Sequence, residues 1–249
     1  DTKRAFQTVH QEPLMIKEIM LSSKKEMRSI LMEDINKPFN LRKEYPLRAT
    51  LYKVPSSGSE QYTTILLINM HHIVTDGWSV QIFYKELFAY YNAYKESNTN
   101  FSFPELDIQY KDYAIWQRQQ LTGEKLDDHV NYWRERLSGY QVLAFPTDFP
   151  RPNRKDYTGS SEPFTLTKEI SNRIRDLARK YGTTVHSIML ASVNILLSKY
   201  TGQDDIVLGG HISNRQHSQT QDLIGFFVNL QVNRTKLRKG QSYEELIQE

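Results

Sequence analysis

The spacing of apolar residues in the first third of the chain predicts one helix and a pair of strands. Ser23 and Glu26 have the spacing of a capping box, and apolar residues recur at helical intervals after them until Pro38. Residues 46–54 alternate as in a strand, and the turn-forming stretch SSGSE follows. Residues 62–70 are the partner strand. Because they are apolar on both faces, we expect them to form a middle strand of the sheet.

Helical patterns continue up to a change in composition. A long helix follows residue 79, because apolar and aromatic side chains recur on one side from Val80 to Tyr94. Another helix spans about 127–138. Residues 146–163 then hold four prolines and almost no apolar pattern, which is typical of a linker.

The order of these elements predicts an α/β (α+β) fold of two lobes, each a mixed sheet with packed helices. Residues 1–145 form the first lobe, the proline-rich linker covers 146–163, and residues 164–249 form the second lobe. Within the second lobe the pattern predicts two helices followed by two strands.

The composition excludes several classes of protein. The chain has 249 residues, of which 39% are hydrophobic and 24% charged, as in globular proteins. The net charge is +3 and no segment is dense in Lys and Arg, so we expect no nucleic-acid partner. The longest apolar run is far shorter than a membrane span, so we expect no membrane contact. The absence of cysteine fits a reducing, cytoplasmic compartment.

Residues 69–79, NMHHIVTDGWS, bring together residue types that carry chemistry. If the preceding strand continues into the pair, His71 and His72 project from opposite faces and cannot share one site. Only Asp76 is close enough in sequence to add a ligand, so we predict no metal site. Packing of the two histidines without any chemistry is the alternative.

Asp76 and Gly77 favour a functional interpretation over packing alone. A buried aspartate needs a cationic or hydrogen-bonded partner, and Gly77 permits a close backbone approach or a positive φ, as a substrate channel needs. The chain has no G-x-S-x-G, P-loop or G-x-G-x-x-G motif that would offer other chemistry. One imidazole at a strand end suits a general base that acts on a nucleophile brought by the substrate, a contribution of roughly 10²–10⁴-fold.

These residues resemble a known family. MHHIVTDGWS is similar to the H-H-x-x-x-D-G motif of nonribosomal peptide synthetase condensation domains. Three further stretches match in the family's order. YKDYAIW at 110–116 resembles its Y-x-D-Y/F-A-x-W motif, and FPTDFPRP at 145–152 resembles its lobe-joining segment. IGFFVNLQVNR at 224–234 resembles its I/V-G-x-F-V-N-T motif, from which Leu230 departs.

The resemblance implies two chloramphenicol-acetyltransferase-like lobes with a tunnel between them, and His72 facing that tunnel. Upstream and downstream peptidyl carrier domains would bring two thioesters on phosphopantetheine arms, beside an adjacent adenylation domain, with no cofactor bound to the chain itself. The acceptor amine attacks the donor thioester and forms an amide. His72 acts as a base or orients the amine, and Asp76 is a structural residue held by an arginine.

The resemblance also implies roles for the remaining candidate residues. His71, His72, Asp76 and Gly77 make up the catalytic motif, and the residues expected along the tunnel are Trp78, Gly225 and Asn229. Arg215 is a candidate partner for Asp76, with exposure to water as the alternative. Tyr110, Tyr113 and Trp116, at helical spacing, are expected to pack in the core.

Two other functions are open to this sequence. An acyltransferase of the same superfamily that uses coenzyme A could share the double histidine, but is not expected to carry the stretches at 110–116 and 145–152. A non-catalytic condensation-like domain that only recruits partners tends to lose the motif histidines, and this chain keeps both.

The family's other motifs bear on how complete the chain is. An arginine-containing H-E-x-L-R-T string is not found before His71, and fifteen residues follow Arg234, too few for the two final motifs. We therefore expect the middle of a domain, which by itself aggregates or unfolds without cooperativity and does not condense substrates. The resemblance makes that string the expected source of the arginine that holds Asp76, with Arg215 as its replacement.

Overall fold

The computed structural model describes residues 6–9, 11–55, 61–154 and 156–248. Its helices and strands confirm a mixed α/β fold, and the turn predicted at 56–60 lies outside the described residues. In chain order the elements are β1 (Ile16–Met20), α1 (Lys24–Asn36), β2 (Leu47–Pro55), β3 (Tyr62–Met70), α2 (Gly77–Lys95), α3 (Tyr110–Gln120), α4 (Gly123–Arg136), α5 (Lys168–Lys180), α6 (Val185–Thr201), β4 (Asp205–Ile212), β5 (Asn229–Lys236) and α7 (Tyr243–Gln248).

The first sheet has the order β1-β2-β3, with β1 parallel to β2 and β2 antiparallel to β3. The prediction that 62–70 is a middle strand was wrong for the described residues, because β2 lies in the middle and β3 at an edge. One face of β3 packs through Ile65 and Leu67 against buried Tyr52 and Val54, while Leu66 on the other face is 42% exposed. Apolar residues on both faces therefore do not distinguish a middle strand from an edge strand.

Helix α1 begins after Ser23, as predicted, but the capping box does not form. The Ser23 side chain makes no capping hydrogen bond, and Glu26 instead accepts one from the hydroxyl of Ser22, at 2.7 Å. The far end of the helix is tied to β2 because Asp34 accepts a hydrogen bond from the Tyr52 hydroxyl, at 2.9 Å. Burial, together with this carboxylate, raises the pKa of Tyr52 to about 12.

The chain divides into two compact units. One comprises the described residues within Asp1–Trp116 together with Ser213–Val228, and the other comprises Gln117–Ile212 and the described residues of Asn229–Glu249. Residues 213–228 thus belong with the first 116, although the second unit surrounds them in sequence. The lobe and linker boundaries at 145, 146–163 and 164 stay a prediction.

The second unit contains α4, α5, α6, the antiparallel pair β4–β5 and α7. Its core is a buried cluster of small and branched side chains, namely Ala178, Ile188, Ala191, Leu246 and Ile247. Arg234 on β5 forms a two-point ion pair with Asp205, at 2.8 and 2.5 Å, and donates to the carbonyls of Arg136 and Ser138, at 2.9 and 2.8 Å. This arginine therefore joins the C-terminal end of α4 to the β4–β5 pair. Along the described ranges, every helix is too short or too polar to span a bilayer.

Candidate functional site

The two histidines lie in a tight turn between β3 and α2. Strand β3 ends at Met70, and a short 3-10 helix covers His72–Val74. The amide of Val74 donates to the carbonyl of His71, at 3.1 Å. The premise that the strand continues through both histidines was therefore wrong, since this turn ends the extended backbone at His71. The two rings nevertheless contact different surroundings, as the alternation argument required.

His71 is held by its own turn. Its Nδ1 accepts a hydrogen bond from the amide of Ile73, at 3.0 Å. The ring meets Phe39 edge to face, with the centroids 5.7 Å apart. Its amide continues the strand pairing by donating to the carbonyl of Pro46, at 2.8 Å. These contacts suit a residue that stabilises the turn.

His72 is exposed, and its tautomer follows from one contact. Its Nδ1 lies 2.6 Å from the carbonyl oxygen of Thr75. Because a carbonyl oxygen only accepts, Nδ1 must carry a proton, and in the neutral ring Nε2 then holds the free lone pair. None of the described side chains or amides is hydrogen-bonded to that Nε2. The arrangement can accept a proton from a group that approaches from solvent.

Asp76 caps α2 and is almost completely buried, with 3% of its surface exposed. Its Oδ1 accepts from the amide of Ser79, at 2.8 Å, and from Nη2 of Arg215, at 3.3 Å. Its Oδ2 accepts from the amides of Phe227 and Val228, at 2.9 and 3.2 Å. Each carboxylate oxygen thus accepts two hydrogen bonds, so Asp76 has little capacity left to take up a substrate proton.

Burial and polar contacts shift the pKa values of Asp76 and Arg215 in opposite directions. Burial raises the pKa of Asp76, but the hydrogen bonds from Ser79 and Phe227 and the charge of Arg215 outweigh it, so the pKa lies below the usual value. Burial lowers the pKa of Arg215, and the Asp76 carboxylate opposes that shift. An arginine stays charged even so, and the two residues form a buried ion pair.

Arg215 completes the network from the far end of the sequence. Its Nη2 donates to the Ser79 hydroxyl, at 2.8 Å, and its Nη1 donates to the carbonyls of Leu223, at 2.8 Å, and Thr220. The guanidinium also lies over the ring of Phe227, 4.0 Å from the centroid. The structure therefore supplies the partner of Asp76 from within the chain, and the ion pair needs no arginine from a preceding string.

A left-handed residue turns the chain toward this position. Asn214 has φ 53°, a conformation that asparagine tolerates better than most residues. Its side-chain amide donates to the Tyr113 hydroxyl, at 3.0 Å. The backbone of Arg215 is held in turn by the side-chain amide of Gln221, at 2.9 Å. The contacts of Asn214 and of Gln221 thus fix the backbone from which the Arg215 side chain projects.

Gly225 is the position where a side chain cannot be accommodated. A Cβ added there would lie 2.2 Å from Cδ2 of Tyr110. The Ser79 hydroxyl donates to the Gly225 carbonyl, at 2.8 Å, and accepts from its amide, at 3.1 Å. Close packing against Tyr110 therefore explains this glycine. The prediction of core packing is confirmed for Tyr113, whereas Trp116 is 41% exposed and packs edge-on against His217.

The remaining candidates are placed differently. Gly77 shows neither the positive φ nor the close backbone approach that a glycine permits, because it is the first residue of α2 and no described atom lies within 4 Å of an added Cβ. Trp78 is 46% exposed and donates from Nε1 to the carbonyl of Gln221, at 2.9 Å. Asn229 begins β5 in the second unit, where its side chain accepts from the amide of Leu230, at 2.8 Å. Their tunnel roles stay predictions.

Two residues of the site were not predicted from the sequence. Ser79 was visible only as the third residue after an N-cap aspartate, a spacing that would have indicated the cap but not the contacts with Gly225. Phe226, whose ring centroid lies 4.9 Å from that of His72, gave no signal, because an aromatic residue in an apolar stretch is ordinarily assigned to a core. Among the described residues, no three His, Asp or Glu side chains gather as a metal ion would require.

Comparison with known proteins gives a consistent result. A family model described as "Condensation domain" matches residues 1–249. One of the linear gramicidin synthase proteins of Brevibacillus parabrevis is 40% identical over 216 residues, which are 86% of this chain and 4% of that protein. The chain therefore spans a small fraction of the curated relatives' length.

Two solved structures share the fold. The X-domain from teicoplanin biosynthesis superposes with a TM-score of 0.84 at 24% identity, over 99% of this chain and 55% of that one. The epimerization domain from the third module of tyrocidine synthetase B gives a TM-score of 0.80 at 19% identity, over 97% and 54%. At these identities the likeness speaks for the fold, which confirms the chloramphenicol-acetyltransferase-like prediction.

Proposed function

We propose, from the premise that the chain belongs to the condensation-domain family, that it contributes to amide-bond formation between two carrier-bound thioesters. The match to the family model confirms the resemblance that the motifs at 69–79 and 224–234 indicated. The observation that carries the function is the state of His72. Its Nδ1–H is engaged by the Thr75 carbonyl at 2.6 Å, which leaves Nε2 as a base on an exposed ring.

In the proposed reaction the acceptor's amine nitrogen attacks the carbonyl carbon of the donor thioester. The C–N bond forms, the C–S bond breaks, and the electron pair leaves with the sulfur. His72 Nε2 takes the proton that the amine loses and returns it to the departing thiolate. The products are an amide on the acceptor carrier and a free thiol on the donor carrier, so no redox partner is needed.

Asp76 and Arg215 support this step without transferring a proton. Both oxygens of Asp76 are occupied by buried donors, and the carboxylate is the N-cap of the helix that follows the His72 turn. The carboxylate thus holds the start of α2 and residues 227–228 together. The Asp76 carboxylate thereby fixes the turn from which His72 projects. The absence of a side chain at Gly77 leaves open space beside this turn.

The partners that the proposal requires are peptidyl carrier domains upstream and downstream and an adjacent adenylation domain. The phosphopantetheine arms of the two carrier domains deliver both substrates, and the proposal requires no cofactor on the chain itself. Support comes from the relatives, which are named as synthases and are many times longer than this chain.

The test is carrier-to-carrier condensation by the parent protein that contains this chain. We expect His72→Ala to lower turnover by roughly 10²–10⁴-fold while leaving the protein folded. His71→Ala should mainly lower folding yield, since its ring and Nδ1 stabilise the turn. His129→Ala, an exposed histidine of α4, is the matched control and should leave turnover unchanged.

The alternatives give different outcomes in the same assay. Acyl transfer from coenzyme A to a small acceptor, with none between carriers, would indicate the acyltransferase alternative. No transfer by the wild-type protein in either format would indicate a non-catalytic, recruiting domain. Wild-type turnover in the folded His72→Ala protein would contradict the role of His72.

A further inference from the structure

Phe226 contacts His72 but is not part of the ion-pair network. Its ring centroid lies 4.9 Å from that of the imidazole, with 68° between the ring planes, an edge-to-face geometry. The side chain is 41% exposed, whereas the next residue, Phe227, is 2% exposed. The backbone therefore presents one phenylalanine to the core and the other to the histidine.

The backbone around Phe226 is held from three directions. Ser79 binds both the amide and the carbonyl of Gly225, the residue before it, at 3.1 and 2.8 Å. Tyr110 donates its hydroxyl to the carbonyl of Phe226 itself, at 2.8 Å. Asp76 accepts from the amide of the residue after it, at 2.9 Å. An exposed residue without a role does not require such restraint.

The Tyr110 ring restrains this segment sterically as well. It lies so close to Gly225 that a Cβ there would be 2.2 Å from Cδ2. The segment cannot move toward α3 against the ring, and the hydroxyl bond to Phe226 opposes movement away from it. Tyr110 therefore sets where the Phe226 ring stands.

The imidazole needs a second constraint beyond its hydrogen bond. The Nδ1 contact with Thr75 fixes one ring atom, but the ring can still pivot about that contact and carry Nε2 away from a productive position. The Phe226 ring, packed edge to face against the imidazole, blocks this pivot from one side. A displacement of about 1 Å at a catalytic group can cost on the order of 10²-fold in rate.

We propose that Phe226 is a positioning residue, which holds the His72 ring with Nε2 facing the substrates, and that the Tyr110 hydroxyl fixes Phe226 in place. The effect on catalysis rests on the proposed function. The contact between the two rings does not, and it is tested separately.

The first experiment measures the contact. The protein is labelled with ¹³C at histidine Cε1, and the His72 resonance is assigned as the one that His72→Gln removes. We expect Phe226→Leu to shift that resonance, because the ring current is lost, and Phe226→Tyr to leave it near the wild-type position. Phe88→Leu is the matched control, since Phe88 is another exposed phenylalanine of the first unit and should leave the resonance unmoved.

The second experiment measures condensation by the parent protein. We expect Phe226→Leu to lower kcat by about 10- to 100-fold with little change in KM, because the aligned base acts in the transition state. Phe226→Tyr should restore kcat to near wild type, and Phe88→Leu should not alter it. Tyr110→Phe, which removes only the hydroxyl, should lower kcat less than Phe226→Leu does.

The outcomes separate the two proposals. An unmoved His72 resonance in Phe226→Leu overturns the positioning role, whatever the rate. A moved resonance with wild-type kcat overturns it as well, provided that His72→Ala is inactive. If His72→Ala is active, the proposed function fails, and with it the catalytic effect of Phe226, while the resonance still reports the ring contact.

Discussion

Replacing Asp76 by asparagine tests the buried network at its centre. The carboxylate accepts from four donors, two on each oxygen. An amide keeps only one acceptor oxygen, and its NH₂ group faces the other two donors in either orientation. Asp76→Asn therefore leaves two buried donors without an acceptor and leaves Arg215 without its countercharge.

The magnitude follows from those losses. Each buried donor without a partner costs about 1–3 kcal/mol, and removing one charge from a buried ion pair costs about 3–5 kcal/mol. The cost of the unpaired donors and the cost of the lost charge partly describe the same contacts, so they are not summed. We expect the free energy of unfolding to fall by about 3–5 kcal/mol. A domain of ordinary stability, about 5–15 kcal/mol, would lose a large part of it.

The assay is urea unfolding at pH 7 of the complete domain that contains this chain, followed by tryptophan fluorescence and fitted by linear extrapolation. Trp78, which donates to the Gln221 carbonyl next to the network, contributes to that signal together with the other tryptophans. Asp107→Asn is the matched control, since Asp107 is exposed in the same unit, and it should change stability by no more than about 0.5 kcal/mol.

A loss below about 1 kcal/mol would refute the reasoning, because it would mean that the carboxylate does not satisfy these donors. The double variant with Arg215→Met adds a second criterion. Since the two residues share the network, its cost should be smaller than the sum of the single costs. An unchanged melting temperature with lost condensation would point instead to a direct catalytic role for Asp76.

Two further predictions concern the same unit. Gly225→Ala places a Cβ 2.2 Å from Cδ2 of Tyr110. It should lower the free energy of unfolding, measured with urea, by about 1–3 kcal/mol. That cost should shrink when Tyr110 is replaced by alanine, and equal costs in both backgrounds would exclude the clash. The second concerns pH. Because the pKa of folded Asp76 lies below its ordinary value, its stabilisation is complete above pH about 4 and declines as the pH falls toward the folded pKa. The stability gap between wild type and Asp76→Asn should therefore be constant from pH 7 to 5 and narrow below about pH 4, and a gap that stays constant or widens from pH 5 to pH 3 would contradict this sign.

Local patterns in the sequence are sufficient to predict most of the helices and strands and the chemistry of the turn. The strand predicted at 62–70 has the observed bounds, because alternation and flanking breakers act within a few residues. The two helices predicted for the second lobe are α5 and α6, and the structure shows that Thr167 and Thr184 cap them. The motif at 69–79 likewise predicted an imidazole that acts as a base and a buried aspartate.

The pairs of distant residues that meet in the site depend on the tertiary structure. Arg215 reaches Asp76 across 139 positions, and Ser79 reaches Gly225 across 146. No periodicity reports such pairs, because they depend on residues 213–228 returning to the first unit. The contact between Phe226 and His72 has the same origin, since hydrogen bonds and packing from three separate segments determine which way the phenylalanine faces.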